Sequence, residues 1–461
     1  MNPDRRRPAI MIVGTHSGAG KTTATGVVLR GLMDRGLRVQ SFKLGPDFID
    51  PGYHREITGR PSINLDLWLM GADGVRDSFR RWSADADICV IESMGALFDG
   101  TDGSGHGSAA HVAKLLDVPV VMIIDVWGMT RTAAAILSGL RSFDPDLGWA
   151  GCILNRSGSP THTRMIRDGL PAELDTLVLG AIERDPGLEV PERHLGLLTV
   201  DENAGTTGLR VDHQRRAAAG IDLDRLLAAT RTSAVDDTPA GPPKHPTPLR
   251  PRARLAIARD PAFCFYYEEN LQSLENAGFE LVDFRPTVDH ALPADVDAVH
   301  LGGGYPESFA TELAANTGLL DELRQRADNG MPIWAECGGL IYLARTLTGF
   351  DGVRHRLAGV LPIDVIMDRD HLSIAYAEVE TRGDSPLGPS GSRFRGQEFH
   401  QSRITEADIE PNLFDGVTSS GDHFVAGYRV DAVVASYLHL HLGGTPMLAD
   451  SLVRAAVRAR R

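Results

Sequence analysis

The chain has 461 residues, 42% hydrophobic and 23% charged, with a formal net charge of −14. That length exceeds what one hydrophobic core usually serves, so two or three domains are expected. The charge argues against nucleic acid or an anionic membrane as partner, and no apolar run is long enough to span a bilayer.

No signal peptide is expected ahead of Ile10. Cysteines at 89, 152, 264 and 337 fit neither a disulfide framework nor paired zinc-ligand spacing, so a reduced, cytoplasmic setting is expected.

The first apolar run, 9–14, is predicted as a strand and leads into Gly14-Thr15-His16-Ser17-Gly18-Ala19-Gly20-Lys21-Thr22-Thr23, after which a helical pattern covers Thr23–Arg35. Strand, glycine-rich turn, lysine and hydroxyl, then helix is the order that builds a phosphate cradle. Lys21 would reach the outer phosphates and the Thr22 hydroxyl would sit on Mg²⁺. The upstream glycine stands at 14, one place earlier than usual, with Thr15 in its position; the plainer reading is an ordinary glycine-rich turn.

Further strands are predicted at 38–43, 87–92, 119–125, 150–154 and 177–182, with a helix over Ala109–Leu116. This alternation builds a parallel sheet with helices on both faces. The carboxyl ends of such strands face the ligand crevice. Asp47 and Asp50 after the second strand, and Glu92 ending the third, could therefore converge near Lys21 and supply the hard oxygens that Mg²⁺ takes. The alternative for each acid is a turn or helix-cap residue. Asp99 and Asp125 are weaker candidates: Asp99 could face substrate, and Asp125 could equally be structural.

Residues 233–252 hold Pro239, Pro242, Pro243, Pro246, Pro248 and Pro251 with few large apolar residues, and read as a semi-rigid linker. It separates a domain over 1–232 from one over 253–461. Strand patterning restarts at 254–258 and continues near 281–284, 296–301 and 331–336. Beyond about residue 355 shorter strands and turns suggest a mixed or antiparallel section.

Ile333-Trp334-Ala335-Glu336-Cys337-Gly338-Gly339-Leu340 has the strand, nucleophile and small-residue order of a nucleophile elbow. A thiol at the helix N-terminus is expected to have a lowered pKa that favours thiolate. The alternative is a buried cysteine acting as a small hydrophobe. Ser436–His441 offers two histidines at alternate positions of a strand-like stretch, one to contact the thiol and one beyond it. The backbone amides of Gly303, Gly304 and Gly338 are candidate oxyanion donors.

These segments together resemble the cobyrinic acid a,c-diamide synthase family along nearly all the chain. The carriers are Gly14–Thr23, Phe42–His54, Asn64-Leu65-Asp66, Phe263–Leu271, Gly302–Glu307, Glu336–Leu343 and Ser436–His441. The resemblance implies a dethiobiotin synthetase-like P-loop domain followed by a class I (triad) glutamine amidotransferase α/β domain. It implies glutamine hydrolysis by Cys337 with His439 as base, through a thioester. ATP with Mg²⁺ would phosphorylate a substrate carboxylate, and ammonia would displace the phosphate.

By the same resemblance Asp47, Asp50, Glu92 and Asp99 belong to the synthetase site, Gly18, Gly20, Lys21, Thr22 and Thr23 hold the nucleotide, and Asn155 and Arg156 contact its adenine side. The implied partners are glutamine and a polycarboxylate acid, a corrin or related macrocycle; a homodimer is an open expectation. The sequence departs from the family at Ser93, Gln397 and Gln401, which leaves the identity of the amidated acid open, including a non-tetrapyrrole acid. A nucleotide-switched binding protein is the remaining alternative, one with no use for a cysteine elbow.

Overall fold

Ala9–Val13 are fully buried, as a strand with neighbours on both edges and helices on both faces must be. In the computed structural model, which describes residues 7–101, 103–190, 207–232, 252–445 and 447–460, this strand is β1 (Pro8–Gly14). Alongside it run β2 (Val39–Leu44), β3 (Ile63–Leu65), β4 (Ile88–Glu92), β5 (Val120–Asp125), β6 (Trp149–Ser157) and β7 (Val178–Glu183). The order is β3-β2-β4-β1-β5-β6-β7, all parallel, and the short β8 (Arg231–Thr232) adds antiparallel to the start of β1.

Helix α1 (Lys21–Asp34) closes Val27, Val28 and Leu32 over Ile10, Ile12 and Val90 of the sheet. Helix α2 (Asp50–Thr58) packs beside it, with Ile57 in the same apolar layer. The predicted strands fall within a few residues of those observed. β3 and β8 carry no sequence prediction, because stretches of three and two residues are too short to show a period.

The chain divides into two compact units, Met1–Ala240 and Gly241–Arg461. The proline-rich segment between them lies, Arg252 apart, outside the described residues. In the second unit β9 (Ala253–Ala258), β10 (Phe279–Phe284), β11 (Ala298–Leu301) and β12 (Ile333–Glu336) start a sheet that β21 (Tyr428–Val430) and β22 (Val433–Ser436) complete, in the order β10-β9-β11-β12-β22-β21. Leu255, Ile257, Trp334 and Val434 face one apolar layer; Ala256, Val299, Leu301 and Ile333 face the other.

After β12 the strands shorten: β13 (Thr346–Thr348), β14 (Arg354–Arg356), β15 (Ile363–Met367), β16 (Ser373–Thr381), β17 (Arg393–His400), β18 (Ser402–Ala407), β19 (Phe414–Thr418), β20 (His423–Ala426), β21 (Tyr428–Val430), β22 (Val433–Ser436) and β23 (His439–Leu440). They build a four-stranded sheet, β14-β13-β15-β18, and an antiparallel one, β20-β19-β16-β17-β23.

One expectation changes here. The stretch 436–441 is not one strand: β22 ends at Ser436 in the parallel sheet, and β23 joins the antiparallel sheet through Gln397↔His439. Tyr437 and Leu438 carry the chain from one sheet to the other, so period-2 reasoning does not place the two histidines on one face.

Candidate active site

The conformation of the loop 14–23 follows from its glycines. Gly20 has φ +87°, a left-handed conformation that side-chain-bearing residues rarely adopt, and a Cβ there would collide with the Asn155 amide. Asn155 Nδ2 donates to the Ala19 carbonyl at 2.9 Å, so the end of β6 braces the loop from beneath. Arg156 beside it is exposed and ion-paired to Asp125 at 2.8 Å.

The upstream glycine also has a packing reason. A Cβ at Gly14 would press within 3.0 Å of the Lys21 methylene stem, so the glycine at 14 clears the path of the lysine. Lys21 Nζ donates to the His16 carbonyl at 3.3 Å. Burial, aided by Lys43, lowers the Lys21 pKa from its ordinary value.

Parallel register brings the carboxyl ends of β1, β2 and β4 to one edge: Ile12 and Lys43 both pair with Glu92. Thr22 Oγ1 lies 2.9 Å from Glu92 Oε1 and 3.2 Å from both Asp50 oxygens. Lys43 Nζ sits among the acids, bonded to Asp50, 3.1 Å from Glu92 Oε1 and 3.6 Å from Asp47 Oδ2. His54 Nε2 is 2.8 Å from Glu92 Oε2, and its Nδ1 is 3.0 Å from Ser62 Oγ.

Asp47 chiefly caps the turn into α2, its Oδ1 accepting from the amides of Ile49 and Asp50 at 2.7 and 3.0 Å. Asp99 is exposed in the loop after β4, and Asp66 caps the helix Leu67–Trp82.

The electrostatics of this cluster are uneven. Burial opposes the charge on Lys43, but Asp50, Glu92 and Asp47 outweigh it and raise the lysine pKa. Burial also works against Glu92, yet Lys43 and His54 hold it well below the carboxylate range. Asp50 goes the other way, pushed well above its ordinary value by burial and by Asp47 despite Lys43.

One carboxyl is therefore reluctant to ionise, which a divalent cation would relieve. The hydroxyl and two carboxylates are hard oxygen donors of the kind Mg²⁺ takes while keeping several waters. They do not form a protein-only cage: among the described residues no group of three or more His, Cys, Asp or Glu side chains has metal-holding geometry.

Lys43 and His54 were not singled out from the sequence. Their signals were a lysine inside the wholly buried strand Val39–Leu44, which demands partners, and a histidine four residues beyond Asp50 on one helix face.

In the second unit Cys337 follows β12 with φ +48° and ψ −102°, an uncommon conformation for a residue with a side chain. Its amide donates to the Ser436 carbonyl at 2.8 Å, and Glu336 Oε1 accepts from the Leu440 amide at 2.9 Å. The elbow is thus tied on both sides to the segment bearing His439.

A Cβ at Gly303 would collide with the His439 ring, and one at Gly338 would lie 3.1 Å from the Gly304 nitrogen. Gly303, Gly304, Gly338 and His439 therefore form one contiguous patch beside Cys337. Asn270 donates to the Leu440 carbonyl at 2.7 Å and accepts from the Leu442 amide at 2.8 Å, framing His441. His441 Nδ1 accepts from the Gly443 amide at 3.1 Å, so it holds the turn.

The expected low thiol pKa is not found. Burial, then Glu307 and Glu398, push the Cys337 thiol up, against only the Gly338 amide. The following helix, Gly338–Leu343, is six residues long, too short to offset that desolvation. Burial, with His400 and His300, lowers His439 to about 3. At rest the Cys337 thiol and the His439 imidazole are each neutral.

Comparison with known proteins follows the same division. Residues 10–198 match the CobQ/CobB/MinD/ParA nucleotide binding domain, and residues 254–447 match the CobB/CobQ-like glutamine amidotransferase domain. Cobyrinate a,c-diamide synthase of Dehalococcoides mccartyi is 37% identical over 453 residues, covering 97% of this chain and 98% of that protein. The protein of the same name from Syntrophotalea carbinolica is 39% identical over 458 residues, covering 97% and 98%. That from Methanosarcina acetivorans is 38% identical over 481 residues, covering 98% and 96%. With a nucleotide-binding unit, an amidotransferase unit and full-length relatives, the chain belongs to the cobyrinate a,c-diamide synthase family of ATP-using, glutamine-dependent amidating enzymes.

Proposed function

We propose that this enzyme amidates the a and c side-chain carboxylates of cobyrinic acid or its metal-free counterpart through an acyl phosphate. The Cys337 sulfur adds to the glutamine amide carbon as the neutral His439 imidazole takes the thiol proton. Amides of Gly303, Gly304 and Gly338 stabilise the oxyanion. Collapse of that adduct, with the imidazolium proton passing to the leaving nitrogen, releases ammonia and leaves a thioester, which water hydrolyses to glutamate.

In the first unit the γ-phosphoryl group of ATP moves to a substrate carboxylate oxygen, giving ADP and an acyl phosphate. Ammonia then attacks the acyl carbon, phosphate leaves with its two electrons, and a proton is lost. Loop amides and Lys21 hold the phosphates, and Asn155 with Arg156 border the adenine side. Thr22, Asp50 and Glu92 would hold Mg²⁺, which supplies charge neutralisation of the phosphates; Asp47 keeps Asp50 in place, and Asp99 borders the acceptor. Lys43 and His54 keep Asp50 and Glu92 aimed.

The observation that carries this reading is the convergence of Thr22, Asp50, Glu92 and Lys43 at the loop that begins α1. Cobyrinic acid labelled with ¹⁸O in its carboxylates tests it: one label should appear in inorganic phosphate for each amide formed. Unlabelled phosphate, or AMP as the nucleotide product, would refute the acyl phosphate.

A further inference from the structure

Beside the carboxylate cluster, between α1, α2 and the helix Thr207–Ala218, lies a cavity of about 30 Å³ lined by Thr22, His54, Tyr53, Arg30, Arg210 and Gln214. Two of its walls touch the cluster directly, since Thr22 bonds Asp50 and Glu92, and His54 bonds Glu92. Gln214, on the helix Thr207–Ala218, closes over Gly26 of α1, where a Cβ would come within 3.0 Å of its amide.

The arginines are the unusual feature. Two exposed arginines on the same two helices, or at their end, are ion-paired: Arg35 with Asp224 at 2.6 Å and Arg215 with Asp34 at 2.9 Å. Arg30 instead has a buried Nε with no hydrogen-bond partner, and the Arg210 guanidinium lies over the Tyr53 ring at 5.2 Å. Neither makes an ion pair among the described residues. Glu56 also lines the cavity, so two arginines and one acid stand among its lining residues. A partly buried guanidinium lacking an acceptor favours a carboxylate or phosphate that completes its fork.

Size decides between occupants. About 30 Å³ admits roughly two water-sized groups, the bulk of one carboxylate and far less than a nucleobase or a macrocycle. The phosphates of ATP already have the loop amides and Lys21. Building on the function proposed above, we propose that Arg30 and Arg210 form a subsite for a carboxylate of the polycarboxylate acceptor that is not under attack. It anchors one acidic arm while another is presented to the cluster at Thr22, Asp50 and Glu92.

Inorganic phosphate shares this chemistry, so the test separates the two sources. Steady-state kinetics with cobyrinic acid as acceptor would compare wild type with R30Q, R210Q and the charge-preserving R30K, with phosphate inhibition and ADP affinity read in parallel. The Gln variants should raise KM for cobyrinic acid about 10- to 100-fold, R30K should recover part of that, and KM for ATP and ADP affinity should not change. An unchanged acceptor KM with ADP binding intact overturns the subsite. Relief of phosphate inhibition with an unchanged acceptor KM also overturns it and assigns the cavity to phosphate. A wild-type protein that amidates no corrinoid acid is a separate result, refuting the function proposed above and the subsite with it.

Discussion

Lys43 shows how one buried side chain sets the character of the carboxylate cluster. It is a cation among Asp47, Asp50 and Glu92, with its own pKa raised by them. Removing one member of such a buried group leaves uncompensated charge, typically at a cost of about 3–5 kcal/mol. K43M should therefore lower the thermal midpoint without nucleotide, and Mg·ADP should recover more of it than the same addition gives wild type. Equal shifts in the two proteins would mean that lysine and metal do not share these carboxylates. At Cys337 the prediction concerns pH. His439, lowered to about 3, is neutral from that value upward, so no proton must be shed near pH 6.5 before it can act as base. Glutaminase kcat/KM should be flat from about pH 5 to 7 in its acid limb; a fall centred near 6.5 would contradict the buried neutral imidazole.

Among the elements, the strands that hold the sites were legible because each is an apolar run bounded by turn residues, as in Ala9–Val13 before Gly14 and Ile333–Ala335 before Cys337. The acid ending β4 was legible for the same reason. The sheet switch at Tyr437 and Leu438 was not, since no local pattern tells a continuous strand from two short ones in different sheets. Nor were Asn270 and Glu336 readable as braces, because each acts on backbone more than a hundred residues away, at Leu440 and Leu442. The thiol shift was misjudged because sequence shows the helix start but not the depth of burial. Glu336, at the end of β12, gives a stability test. Burial raises its pKa to about 8 from an ordinary 4.5, against the Leu440 amide. Between those values the unfolded chain has lost a proton that the folded chain keeps, so stability falls as pH rises. E336Q should therefore flatten the decline in thermal midpoint between pH 5 and 8; an unchanged slope would show that Glu336 ionises normally.

For the whole molecule, two units of distinct chemistry occur in one chain: a P-loop sheet with a carboxylate cluster, and an amidotransferase sheet with a cysteine elbow. Among the described residues no helix is long and apolar enough to cross a membrane. In the function proposed above, ammonia links the two half-reactions, so each should be separable by substitution. The direct measurement is product mass from cobyrinic acid and Mg·ATP with C337A, supplied with either glutamine or ammonium. The account predicts loss of glutamine-dependent amidation by at least about 10³-fold, with ammonium-dependent amidation at the wild-type rate. Diamide formed from glutamine by C337A at an undiminished rate would contradict it.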